Sequence, residues 1–138
     1  MTVVIDNNVI VDALKPNPEF EIDAQEILRL ASKKSVEGFI NANSLTDVFY
    51  VLRKEHGADK TKVMLQKLLL MLDIVGVAPA DCVVALEKPT GDFEDALIDV
   101  CAKKMGADYI VSRDKKFIEA QTEVRVVGPK QLLEILSE

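Results

Sequence analysis

The chain has 138 residues, an apolar fraction of 49% and a net charge of −6. That is enough for one domain, residues 1–138, with a real core, and too acidic for a protein that coats nucleic acid by bulk electrostatics. An enzyme that acts on nucleic acid through metal ions stays open, because a cluster of catalytic carboxylates itself adds negative charge.

Two cysteines, Cys82 and Cys101, give neither a metal-ligand spacing nor a secreted disulfide framework, and read as reduced thiols in a cytoplasmic protein. Met1-Thr2-Val3 leads straight into a strand without a basic leader. The most apolar run, Val63 to Ala80, is broken by Gln66, Lys67 and Asp73, so no membrane span is expected.

In chain order, Val3-Val4-Ile5 is a continuous apolar run bounded by Asp6-Asn7-Asn8, which suits a buried parallel strand. Val9 to Leu14 predicts a short helix stopped by Pro16 and Pro18, and Glu21 to Lys34 an amphipathic one. Val36 to Ile40 predicts a second strand, with Gly38 weakening the pattern. Ser44 is the expected cap of the next helix, whose apolar face is Leu45, Val48, Phe49, Val51 and Leu52. A helix from about Lys60 to Leu72 follows, then a third strand from Asp73 to Val77 and a helix from Asp81 to about Glu87.

The stretch from Gly91 to Phe117 predicts a helix that begins among Asp92, Glu94 and Asp95, carries Lys103 and Lys104 in its last turn, and ends at Gly106. A fourth strand, Tyr109 to Val111, stops at Ser112-Arg113-Asp114. Val124 to Val127 predicts a fifth strand, and Pro129 opens a final helix through Leu136. Strands that alternate with helices imply right-handed crossovers, a parallel sheet and helices on both faces: one α/β sandwich.

This order sends acids to one place. Asp6 follows the first strand and Asp114 the fourth, so both project from the C-terminal edge of the sheet, where open α/β sheets bind ligands. Asp47 lies in the first turn of the helix after the second strand, and Asp92 and Asp95 open the helix leading into the fourth. Each acid alone also fits a structural role, since Ser44 to Asp47 resembles a capping box and Asp92 to Asp95 places acids at a helix N-terminus. Asp99, one turn beyond Asp95, reads as a solvated surface charge. The conjunction carries the chemical reading. Carboxylates gathered in a crevice repel one another unless a cation offsets them, and hard oxygen ligands suit Mg²⁺ or Mn²⁺. Such ions activate water and stabilise charge on a phosphate, so the chemistry that follows is metal-assisted phosphodiester hydrolysis.

The segments VVIDNNVIVDAL, NSLTDVFYVLRK and DFEDALIDVCAKKMGADYIVSRDKKF together resemble, in order and separation, the motifs of PIN-domain ribonucleases. In size the chain is similar to the VapC-type toxins of prokaryotic toxin–antitoxin pairs. The resemblance implies a three-layer α/β/α sandwich around a five-stranded parallel sheet in the order 3-2-1-4-5. It also implies a catalytic quartet of Asp6, Asp47, Asp95 and Asp114, with Asp92 joining Asp6, Asp95 and Asp114 as a metal ligand and Asn8 and Ser112 supporting the acids. The activity implied is a Mg²⁺- or Mn²⁺-dependent endoribonuclease that cuts RNA to 5′-phosphate and 3′-hydroxyl ends. A small antitoxin would silence it, and a homodimer would use part of the apolar faces from Leu45 to Leu52 and from Val63 to Leu72. One departure stands out. The family's second acid is usually Glu, whereas Asp47 is a methylene shorter, and its helix offers no Glu until Glu55.

Arg113, Lys115 and Lys116 flank Asp114 and are candidate phosphate contacts, or else ordinary solvated charges. His56 has no catalytic partner in sequence, and neither a P-loop nor GxGxxG occurs. Two rivals come from other classes. A phospho-accepting receiver domain would want an Asp ending the third strand, but Asp73 opens that segment. A PIN-like module that binds RNA or protein without cutting is motivated by the short Asp47.

Overall fold

Val3, Val4 and Ile5 are all at most 1% exposed, which fits a strand with helices on both sides. In the computed structural model, which describes residues 1–138, they belong to the central strand of a five-stranded parallel sheet. The elements are β1 (Thr2–Ile5), α1 (Asn7–Leu14), α2 (Glu21–Ser32), β2 (Glu37–Asn41), α3 (Ala42–His56), α4 (Ala58–Leu68) and β3 (Asp73–Val75). They continue as α5 (Pro79–Leu86), α6 (Phe93–Met105), β4 (Tyr109–Val111), α7 (Lys115–Glu119), β5 (Val126–Val127) and α8 (Pro129–Leu136). The strand order is β3-β2-β1-β4-β5, as the resemblance implied.

The pleat of β1 divides the core. Val3 and Ile5 pack with Ile10, Ile27, Val48, Leu68 and Leu132, from α1, α2, α3, α4 and α8. Val4 points to the other face, with Ile98 of α6 and Phe117 of α7. Val75, Ala85 and Leu97 close that second layer where α5 meets α6. Period-two alternation in a strand buried on both faces thus produces the three-layer sandwich. No helix is long and apolar enough to cross a membrane.

Gly38, which weakened the second strand in sequence, is required by packing rather than by a turn. A Cβ there would stand 2.6 Å from Leu72 Cδ2 and 3.2 Å from Ala31 Cβ. Gly106 does end α6, in the left-handed conformation (φ 76°, ψ 32°) that glycine adopts without steric cost.

Several boundaries differ from the sequence reading. Helix α3 starts directly after β2 with Asn41 at its cap position, so Ser44 lies inside the helix, buried and without a side-chain partner, and caps nothing. Helix α1 likewise begins at Asn7, with Asp6 as its cap. Helix α4 ends at Leu68, β3 and β5 are shorter than expected, and α7 is an additional helix. Asp99 is 4% exposed, not solvated: its carboxylate accepts from the backbone N–H of Glu123 (2.9 and 3.1 Å) and of Val124 (2.9 Å), tying the lead-in to β5 onto α6.

Candidate active site

The C-terminal edge of β1 ends in Asp6, whose carboxylate accepts from three donors. Its Oδ1 accepts from the Asn7 backbone N–H (2.8 Å), capping α1. Its Oδ2 accepts from the Ser112 hydroxyl (2.7 Å) and from Asn8 Nδ2 (3.2 Å). Asn8 Nδ2 also donates to Ser112 Oγ (3.1 Å), which in turn accepts from the Asp114 backbone N–H (3.1 Å). Asn8 and Ser112 thus link the ends of β1 and β4 through the Asp6 carboxylate.

Asp114 and Asp92 also cap helices. Asp114 accepts from the Lys116 N–H at the start of α7 (3.0 Å), and Asp92 from the Asp95 N–H at the start of α6 (3.0 Å). Capping and site-building are thus the same act here. Three helix N-termini bring their partial positive charge to one crevice, where it offsets part of the repulsion among the acids. Asp92, Asp95 and Asp114 line a single cleft, together with Thr90, Gly91, Lys116 and Ala120.

Asp47 and Glu94 meet at the other side of Asp6. Asn7 Nδ2 donates to Asp47 Oδ2 (3.2 Å) and to Glu94 Oε1 (2.9 Å). In sequence Glu94 reads only as one of the acids at a helix start. Its signal in the sequence was position: one residue before Asp95, in the first turn of a helix aimed at the edge.

Crowding perturbs these groups. Burial, followed by the negative charges of Asp92, Asp6 and Asp114, pushes Asp95 up to about 7. Burial also leads for Glu94, with the hydrogen bond and charge of Asp47 next and the charges of Asp6 and Asp92 after them, and takes it up to about 7. In Asp6, burial outweighs the Ser112 and Asn7 hydrogen bonds that favour the ionised form, and Asp114 and Asp92 push the same way, so its pKa is raised. Acids from four separate segments (Asp6; Asp47; Asp92, Glu94 and Asp95; Asp114) therefore feel one another's charge. In this side-chain arrangement they face a common crevice without any three closing on one point.

The cations divide. Arg113 is bound by the buried carboxylate of Asp12 and stacks over the Phe20 ring, 4.5 Å from its centroid, so its guanidinium is engaged within the protein. Lys116 lines the acidic cleft, and Lys115 is exposed beside it. His56 closes α3, with its Nε2 buried and unpartnered. Lys104 is held by Asp81 (2.6 Å), a pairing that lowers the Asp81 pKa.

The family model of the PIN domain matches residues 2–116, from the first residue of β1 into the first turn of α7, and so includes Asp114 after β4. The chain belongs to the PIN-domain family. Ribonuclease VapC1 of Aquifex aeolicus (strain VF5) is 34% identical to this PIN-domain chain over 132 residues, spanning 88% of each protein. Among solved structures, VapBC from Salmonella typhimurium, bound to DNA, superposes with a TM-score of 0.70 at 15% identity, over 94% of this chain and 98% of that one. VapC20 of Mycobacterium tuberculosis, described as a Sarcin-Ricin loop cleaving toxin, matches with a TM-score of 0.68 at 17% identity, over 89% and 98%. At such identities these two structures establish the shared fold.

Proposed function

We propose that this PIN-domain protein is a divalent-metal-dependent endoribonuclease, the toxin of a toxin–antitoxin pair. The observation that carries the reading is that Asp92, Asp95 and Asp114 line one cleft while Ser112 bridges the Asp114 backbone to the Asp6 carboxylate at the same sheet edge. The ribonuclease relative and the family membership support it.

The donor set fits a hard cation: it is made of carboxylates, flanked by a hydroxyl and amides, with no thiol or imidazole among them. Asp6, Asp95 and Asp114 would hold Mg²⁺ or Mn²⁺, with Asp92 beside them and Asp47 completing the catalytic quartet. When bound, such an ion lowers the pKa of water and offsets the charge that develops on the scissile phosphate. The chain's own part is orientation. Ser112 and Asn8 fix the Asp6 carboxylate, the helix caps hold Asp92 and Asp114, and Lys116 and Lys115 stand ready for flanking phosphates of the RNA.

The same reading carries the partner and domain expectations. Residues 1–138 act as one domain, since Val127 of β5 and Leu132 of α8, beyond the matched residues, share the core of Val3. A small antitoxin protein silences the crevice. A second copy of the chain covers part of the apolar surface at Tyr50, Val51, Val63 and Leu70, which are 38% to 80% exposed. The setting is cytoplasmic.

Purified protein should cut RNA in the presence of Mg²⁺ or Mn²⁺ and stop in a chelator. Asp6→Asn and Asp95→Asn should abolish cleavage with the fold intact. Asn variants that cut as fast as the parent would overturn the assignment.

A further inference from the structure

Asp47 and Glu94 are far apart in sequence and belong to different helices, yet one side chain holds both. The amide group of Asn7 has two protons to donate, and both are spent here: one on Asp47 Oδ2 (3.2 Å), the other on Glu94 Oε1 (2.9 Å). Asn7 cannot drift, because it is the first residue of α1 and its backbone N–H is bound by Asp6. The clamp therefore ties α3 to α6, one residue from Asp6 on one side and one residue from Asp95 on the other.

Holding two carboxylates against a single neutral amide is electrostatically unfavourable, since the amide dipole offsets only part of their repulsion. An isolated cap or turn does not need such a pair. The chemical length of the two acids shows what the pair achieves. Asp47 is a short side chain, and α3 offers no Glu until Glu55, more than two turns farther along. Glu94 carries one more methylene and reaches the same spot from α6.

We propose that Asn7 joins Asp47 and Glu94 into one composite acid, in which Glu94 supplies the reach toward the bound cation that Asp47 lacks and Asn7 is a positioning residue. This inference rests on the reading of the crevice as a divalent-cation site. It assigns to Glu94 a place in that site, and it explains how the short Asp47 is accommodated: the missing length comes from another helix.

The test uses the full chain and Mn²⁺ alone, without RNA, with bound ion followed by the loss of the free-ion electron paramagnetic resonance signal. Glu94→Gln should weaken Mn²⁺ binding about 10-fold or more, and Asn7→Ala should weaken it by a comparable factor through loss of orientation. Asp47→Glu, placed on the Glu94→Gln background, should restore affinity to within about 3-fold of the parent, because a longer acid on α3 no longer needs its helper. Circular dichroism on each variant without metal separates lost binding from lost fold. If the parent binds Mn²⁺ and Glu94→Gln binds equally well, or the longer acid at position 47 rescues nothing, the composite acid is refuted while the cation site stands. A parent that neither binds Mn²⁺ nor cuts RNA would instead overturn the underlying reading of the site.

Discussion

Arg113 reaches back across the sheet edge to Asp12, gripping that carboxylate with Nε and, at 3.2 Å, with Nη2. Asp12 is 2% exposed, and Asn17 Nδ2 also donates to it (3.0 Å). The Arg113 backbone N–H adds a bond to Asn8 Oδ1 (3.2 Å). The segment leaving β4 is thereby pinned to α1 at two points, which sets Asp114 beside Asp6. Arg113 thus shapes the site from behind.

Arg113→Ala leaves the Asp12 carboxylate buried without its charge partner, and the expected cost is about 2–3 kcal/mol, below the full value for a buried pair because the guanidinium is partly exposed. Arg113→Lys should recover little, since a point charge cannot reproduce the two-nitrogen grip or the stacking on Phe20. Urea denaturation measures both. A phosphate contact predicts something else: unchanged stability with an RNA affinity whose salt slope falls by about one charge.

Gly38→Ala should destabilise by about 1–3 kcal/mol, because the new methyl meets Leu72 at 2.6 Å and Ala31 at 3.2 Å. Leu72 Cδ2 is the end of a flexible side chain, but Leu72 is itself 2% exposed and has little room to turn. Pairing Gly38→Ala with Leu72→Ala should cost less than the sum of the two single changes, as measured by thermal unfolding. Strict additivity would place the clash elsewhere.

The parts of this architecture that were legible in sequence are those written in local periodicity. Val3 to Ile5 read as a buried strand, Gly106 as a helix end, and Asp6, Asp47, Asp95 and Asp114 as acids carried to one edge. That strand order follows 3-2-1-4-5 came from the resemblance to a family, and the sheet has that order. What stayed hidden depends on contacts between distant segments. Asp99 looks like any exposed helical acid until the backbone of Glu123 and Val124 comes to it. Nothing local in Arg113 announces its pairing with Asp12, about a hundred residues away in sequence. Glu94 looks like a dipole partner until Asn7 sets it against Asp47. Ser44 misled for the opposite reason: its local signal was a good cap, but β2 runs straight into α3 and leaves it buried in the helix.

Asp99→Ala removes the acceptor for two backbone N–H groups, those of Glu123 and Val124, beside the cavity that Asp99 lines with Phe117, Gln121 and Thr122. The expected loss is about 2 kcal/mol. Amide hydrogen exchange should quicken from Ala120 to Val127, while cleavage per folded molecule stays near the parent value because Asp99 lies outside the acidic cleft. A large fall in cleavage with unchanged exchange would point to a direct role for Asp99 in the reaction.

The crowded acids also set a pH dependence. Asp95 and Glu94 are raised to about 7, and Asp6 is raised as well, burial being the largest cause in each. A carboxyl whose folded pKa is raised holds its proton more tightly in the folded state than in the unfolded one. Its contribution to stability is full below the unfolded value near 4 and is lost as pH rises through the folded value. In a chelator, therefore, thermal stability should fall from about pH 5 to about pH 8, against the usual rise as structural carboxylates ionise. Asp95→Asn should flatten this slope and gain on the order of 1–2 kcal/mol near neutral pH, discounted for its partial exposure to solvent. Mn²⁺ should flatten it in the parent too, because a cation that binds the ionised acids favours the form that high pH produces. A parent whose stability rises steadily through this range, with or without Mn²⁺, would show that the acids do not crowd one another as the geometry requires.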